Sequence, residues 1–145
     1  MSSVYELLVE KRRQLHTTTA TSSVLDATRL MNDCGIGAVV VTDDNRIVGI
    51  FTERDVLRRV VAMERSPAAT RVLDVMTAEV LCCSPATTIE QASEIMMERR
   101  IRHLPIVNDD GLPVGMISIG DLNAHQVHEQ QQHIGNLQDY LYGRV

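Results

Sequence analysis

A hydroxyl and a carboxylate three residues apart occur twice in this chain, each behind the same glycine and apolar pair. Residues 49–55 read Gly-Ile-Phe-Thr-Glu-Arg-Asp, and residues 115–121 read Gly-Met-Ile-Ser-Ile-Gly-Asp. A carboxylate can accept two hydroxyl donors, which is what a ribose diol offers. Free N–H groups at a helix start favour an anion such as phosphate. Thr52 with Asp55, and Ser118 with Asp121, therefore carry the chemistry to hold the sugar and phosphate of a nucleotide. The same spacing is nearly that of a capping box, which stabilises a helix start by about 1 kcal/mol with no ligand present. Both uses draw on one helix terminus, and neither excludes the other.

The duplication extends far beyond these motifs. Val24, Ala27, Met31 and Ile36 recur 65 positions later as Ile89, Ala92, Met96 and Ile101. Past the next strand the offset is 66, pairing Val48 with Val114, Gly49 with Gly115, Thr52 with Ser118 and Asp55 with Asp121. The extra residue belongs in the turn, Asp43-Asp44-Asn45 against Asn108-Asp109-Asp110-Gly111, where insertions cost least. Matching offsets over this length mark an internal repeat.

Each copy reads β-α-β-β-α, an α/β chain of the α+β type. Short strands at Leu15–Thr18 and Val80–Cys83 come first. Helices follow, capped by Ser22 or Thr87, with apolar residues at helical spacing (Val24, Ala27, Leu30, Met31; Ile89, Ala92, Ile95, Met96). Strands Ala38–Thr42 and Leu104–Asn108 then turn back as Ile47–Phe51 and Val114–Ile117. Second helices open at Thr52 and Ser118. The expected division is 4–64 for the first repeat with an N-terminal helix, 65–71 for a Ser/Pro/Ala connector, 72–125 for the second repeat and 126–145 for a helical tail. A half of about 60 residues is marginal alone, so the two should pack together, sheet against sheet with pseudo-two-fold symmetry, and leave paired clefts.

These residues resemble a tandem pair of CBS domains, the module named after cystathionine beta-synthase and often called a Bateman module, here of the stand-alone bacterial type. The resemblance rests on Val48-Gly49-Ile50-Phe51-Thr52-Glu53-Arg54-Asp55, on Arg102-His103-Leu104-Pro105-Ile106-Val107, and on Val114-Gly115-Met116-Ile117-Ser118 with Asp121. Val72-Leu73-Asp74-Val75-Met76-Thr77 is similar to the lead-in before such a domain. The similarity implies an adenosine-type ligand in each repeat: AMP, ADP, ATP, NAD or S-adenosylmethionine. It places Thr17, Thr18, Gly37, Ala38, Thr52, Arg54 and Asp55 at a first site. Cys83, Arg102, His103, Leu104, Pro105, Ser118 and Asp121 fall at a second. By family pattern Asp55 and Asp121 accept from ribose, while Thr52 and Ser118 sit by phosphate. The second site looks stronger, because Arg102 and His103 stand where the first repeat has Gly37 and Ala38, and because Glu53 opposes a phosphate. For several of these residues a plain structural role competes: strand positions for Thr17, Thr18 and Cys83, core packing for Leu104, a helix-end cluster for Arg99, Arg100, Arg102 and His103.

Composition narrows the function classes. Aromatic residues make up 3% and the formal net charge is −5, so neither a base-stacking platform nor a basic field for nucleic acid is available. No apolar run reaches the ~20 residues that span a bilayer. The N-terminus lacks the basic start and apolar stretch of a signal peptide, and three cysteines suit a reducing compartment; a cytoplasmic location is expected. No nucleophile elbow, phosphate-binding Lys loop or His-Glu-x-x-His motif is present, so no catalytic residue and no catalytic cofactor are expected. His125 and His128 share a helix face but lack a completing carboxylate or cysteine, so no metal is assigned. Apolar residues at Val4, Leu7 and Leu8, and at Val127, Ile134, Leu137 and Leu141, suggest interface material at both ends, weakened by Gly135 in the latter. The expected function is a regulatory module sensing adenosine nucleotides as a homodimer and signalling to a protein partner. The alternative is a structural dimerisation protein with vestigial clefts.

Overall fold

The computed structural model describes residues 2–12 and 14–142, with 133–142 as backbone only. Helix α1 spans Val4–Lys11, β1 Thr17–Thr19, α2 Val24–Cys34, β2 Ala38–Asp43 and β3 Arg46–Thr52. A single α-turn, α3 (Glu53–Asp55), runs into a π-helical stretch, Val56–Val61. After a 3-10 turn at Val72–Asp74 come α4 (Ile89–Arg99), β4 (His103–Val107), β5 (Pro113–Ser118) and α5 (Ile119–Tyr142). None of the described helices is long and apolar enough to cross a membrane.

The register bears out the two offsets. Ala38 pairs with Thr52 and His103 with Ser118, and both hairpins carry an irregularity at the matching place, Val41/Thr42 and Ile106/Val107. Asp44 and Asn45 take positive φ in the first, tighter turn, while Gly111 at φ 78 serves the longer second one. The helix caps stand one residue later than the sequence suggests. Ser23 accepts from Asp26 N–H at 3.1 Å, and Thr88 accepts from Gln91 N–H at 3.1 Å within a capping box. Ser22 and Thr87 instead close the preceding turns, donating to the carbonyls of Thr19 and Ser84 at 3.1 Å each.

The first repeat forms a three-stranded sheet in the order β1-β2-β3, the second only the pair β4-β5. The expected strand at Val80–Cys83 shrinks to one parallel bridge, Cys83 with Ile106. Cys83 donates to the Pro105 carbonyl at 3.0 Å and accepts from Val107 N–H at 2.9 Å. The next rung toward Leu81 needs an N–H on residue 105, and the next one past Cys83 needs an N–H on residue 85. Both are proline, which has none, so the ladder stops on either side.

Each repeat has its own apolar core, and each core is completed by the lead-in segment of the other. Val72, Val75 and Met76, which open the second repeat, pack with Val24, Met31, Val39, Phe51 and Val60 of the first. Val4 and Leu7, which open the first, pack with Ile89, Met96, Leu104, Ile106 and Ile117 of the second. Matching hydrogen bonds hold the exchange: Val4 N–H to the Thr87 carbonyl and Val72 N–H to the Ser22 carbonyl, both 2.8 Å. The helix assigned with the first repeat therefore packs on the second. Val4 and Leu7 are spent within the chain, while Tyr5 and Val9 of the same helix stay exposed.

Candidate functional site

The crossed lead-ins build two clefts, and each combines residues of both repeats. One, of about 400 Å³, contains Thr52 and Asp55 together with Thr77, Glu79, Val80 and Leu81 from the first stretch of the second repeat, and Arg100, Ile101, Arg102 and His103 up to the start of β4. The other, of about 540 Å³, contains Ser118 and Asp121 together with Lys11, Gln14, Leu15 and His16 before β1, and Ile36, Gly37 and Ala38 at the start of β2. Gly37 and His103 border both. Volumes of this order suit a small-molecule ligand.

At the first cleft the capping role and the acceptor role coincide in Asp55. Its Oδ2 accepts from Thr52 N–H at 3.0 Å and from Thr52 Oγ1 at 3.2 Å, while Asp55 N–H donates to Thr52 Oγ1 at 3.2 Å. Oδ1 has the Arg59 guanidinium 3.6 Å away, beyond hydrogen-bond reach, and the residue as a whole is buried. Arg59 is itself engaged, donating to the carbonyls of Val75 and Met76 at 3.2 and 2.8 Å. Arg54 and Arg58 border the cleft from α3 and the π-helical stretch, and Arg100 and Arg102 from across it. Among the described residues these four guanidiniums have no ion-pair partner. Glu53 and Glu79 also border the cleft, so cations outnumber carboxylates around one half-buried apolar wall.

At the second cleft one oxygen of the carboxylate is already paired with a cation. Lys11 Nζ lies 2.7 Å from Asp121 Oδ2 and donates to the Met116 carbonyl at 2.9 Å, while Ser118 N–H donates to the same Oδ2 at 2.8 Å. Burial alone would push the Asp121 carboxyl up. The Lys11 ammonium and the Ser118 bonds outweigh it and hold the group below its ordinary value. The His103 pKa is also lowered from that of an ordinary imidazole, by burial and then by the Lys11 charge. Glu10 and Glu129 flank the buried His125 ring at 3.5 and 3.1 Å, and His128 lies 3.1 Å from the Gln132 amide. His133 and the stripe residues Ile134, Leu137 and Leu141 have side chains outside the described residues.

The site residues expected from sequence are thus regrouped. Arg102 belongs with Thr52, Arg54 and Asp55 rather than with Asp121, and Ala38 belongs with Ser118 and Asp121. The reason is the hairpin geometry at the pseudo-two-fold, where the start of β2 or β4 reaches over the opposite repeat. Thr17, Thr18, Cys83, Leu104 and Pro105 border neither cleft. Leu104 is fully buried core, and the Cys83 thiol is pushed up to about 11, chiefly by burial. Lys11, His16, Arg58 and Glu79 border the clefts without any motif in the sequence to announce them. With Arg102 moved and His103 bordering both clefts, Glu53 is what still sets the Asp55 cleft at a disadvantage.

Comparison with known proteins agrees with this architecture. Residues 4–62 and 72–127 each match the CBS domain, so the chain belongs to the CBS domain family as a tandem pair. It is 37% identical over 130 residues to the mitochondrial CBS domain-containing protein CBSX3 of Arabidopsis thaliana, covering 86% of this chain but only 63% of that protein. A solved protein with CBS domains from Burkholderia ambifaria MC40-6 is 42% identical with a TM-score of 0.83, covering 89% of this chain and 96% of that one. The CBS domain protein PAE2072 from Pyrobaculum aerophilum, solved in complex with AMP, is 25% identical with a TM-score of 0.75, over 82% of this chain and 88% of that one.

Proposed function

We propose that this chain is a regulatory module that binds a phosphate-bearing adenosine nucleotide in the Asp55 cleft. One observation carries the reading: a carboxylate whose Oδ1 makes no hydrogen bond shares a cleft of about 400 Å³ with Arg54, Arg58, Arg100 and Arg102. Asp55 would take the ribose hydroxyls, Ile50, Val80, Leu81 and Ile101 would face the base, and the guanidiniums would take the phosphate oxygens. The AMP complex of PAE2072 supports the ligand class. The arginines favour AMP, ADP, ATP or NAD over S-adenosylmethionine, whose sulfonium adds a positive charge.

In this reading the ligand acts as a signal, held by Asp55 and the arginines. Ligand binding between two repeats would change their relative setting only through different affinity for two arrangements. A dimer built on the exposed Leu57 and Val61 of the π-helical stretch, Met63 just after it and Val127 of α5 would relay that change to a partner protein. Thermal melting with AMP, ADP, ATP, NAD and S-adenosylmethionine tests the assignment. A rise with the phosphate-bearing ligands and little with S-adenosylmethionine is expected. No shift with any of them at millimolar concentration would leave the alternative, a dimerisation protein with vestigial clefts.

A further inference from the structure

The two Thr/Ser-x-x-Asp motifs are equal in sequence and unequal in what touches them. The segment leading into the second repeat has a 3-10 turn at Val72–Asp74 and then runs extended, so that Thr77 exchanges backbone bonds of 2.9 Å with Ile50. The segment leading into the first repeat stays helical through Lys11. Met116, the counterpart of Ile50 in the second repeat, then receives its bond from the Lys11 ammonium at 2.9 Å instead of from backbone. That ammonium also lies 2.7 Å from Asp121 Oδ2.

Helix α1 cannot easily withdraw. Val4 and Leu7 are buried in the second core, Leu8 lies over Gly115, and Glu10 faces His125. At the Asp55 cleft the nearest cation, Arg59, stays 3.6 Å from Oδ1 and is engaged with the Val75 and Met76 carbonyls, and the lead-in supplies Thr77 and Glu79 where α1 supplies Lys11. A ribose hydroxyl approaching Asp121 competes with a charge-assisted bond that is already made and held in place by a packed helix.

Building on the nucleotide reading above, we infer that Lys11 is a built-in occupant of the Asp121 cleft. It takes Asp121 Oδ2 and sets a bound cation where a ligand's hydroxyls would approach, so the chain loads one nucleotide, at Asp55. The N-terminal helix is therefore a specificity element: it makes a two-motif chain into a one-site module.

Calorimetric titration with AMP tests this on the wild type, Asp55→Ala, and Asp55→Ala combined with Lys11→Met or Lys11→Gln. The wild type is expected to bind one equivalent per chain and Asp55→Ala to lose it. Either double variant is expected to bind one equivalent at least tenfold more tightly than Asp55→Ala, a gain that misfolding does not produce. Two equivalents in the wild type, or double variants no better than Asp55→Ala, would overturn the inference and leave the Asp55 site standing. A wild type that binds no AMP, ATP or NAD would take down both.

Discussion

Met76 fills the space that Gly49 leaves by having no side chain. A Cβ on Gly49 would stand 2.6 Å from Met76 Sδ and 2.8 Å from the Thr77 carbonyl. The counterpart in the other half is Leu8 over Gly115, at 2.7 Å from Cδ2. The glycine of the repeated motif is thus the floor on which the opposite lead-in rests. Gly49→Ala is expected to destabilise the fold by about 1–3 kcal/mol, because a backbone carbonyl must move. Gly115→Ala should cost less, since it meets the flexible tip of Leu8. Urea denaturation of both variants checks the order.

Much of this was readable from the chain, and the reasons for the rest are physical. Offsets of 65 and 66 correctly align the strands because hairpin register is a local property of turn and pattern. The loss of the strand before Cys83 follows from Pro85 and Pro105, yet only a known pairing partner shows which N–H groups are needed. The exchange of lead-ins has no local signature: Val4, Leu7, Val72 and Val75 look the same whichever core accepts them. Hence the motif residues were legible, while their grouping into clefts was not.

Arg102 is expected to act on phosphate and not on the nucleoside. Arg102→Ala should weaken AMP binding by roughly tenfold or more, consistent with a charged hydrogen bond of about 1.5–3 kcal/mol. Adenosine binding should change little. Parallel titrations with the two ligands measure the difference, and equal losses would place Arg102 elsewhere.

His103 borders both clefts and has its pKa lowered by burial and then by Lys11. A phosphate in the Asp55 cleft would favour the imidazolium and raise that pKa. AMP binding near pH 6.5 should therefore be accompanied by proton uptake that His103→Gln reduces. Titration in buffers of different ionisation enthalpy reads the number of protons, with the ligand's own ionisation common to both proteins.

The Lys11–Asp121 pair should contribute stability with a defined pH dependence. The Asp121 carboxyl is held below its ordinary value of 3.8. Its contribution is therefore full above that value and is lost as pH falls through the lower, folded-state value. At neutral pH Lys11→Met should melt lower than the wild type by an amount of about 1 kcal/mol, or roughly 3 °C. The gap should narrow as pH drops below 3.8.

The central claim is that Asp55, with the arginines across its cleft, holds the nucleotide, and that Asp121 does not. Calorimetric titration of AMP into Asp55→Ala and Asp121→Ala compares the two directly. The account predicts loss of binding in Asp55→Ala and near wild-type affinity in Asp121→Ala. Equal loss in both, or loss in Asp121→Ala alone, would contradict it.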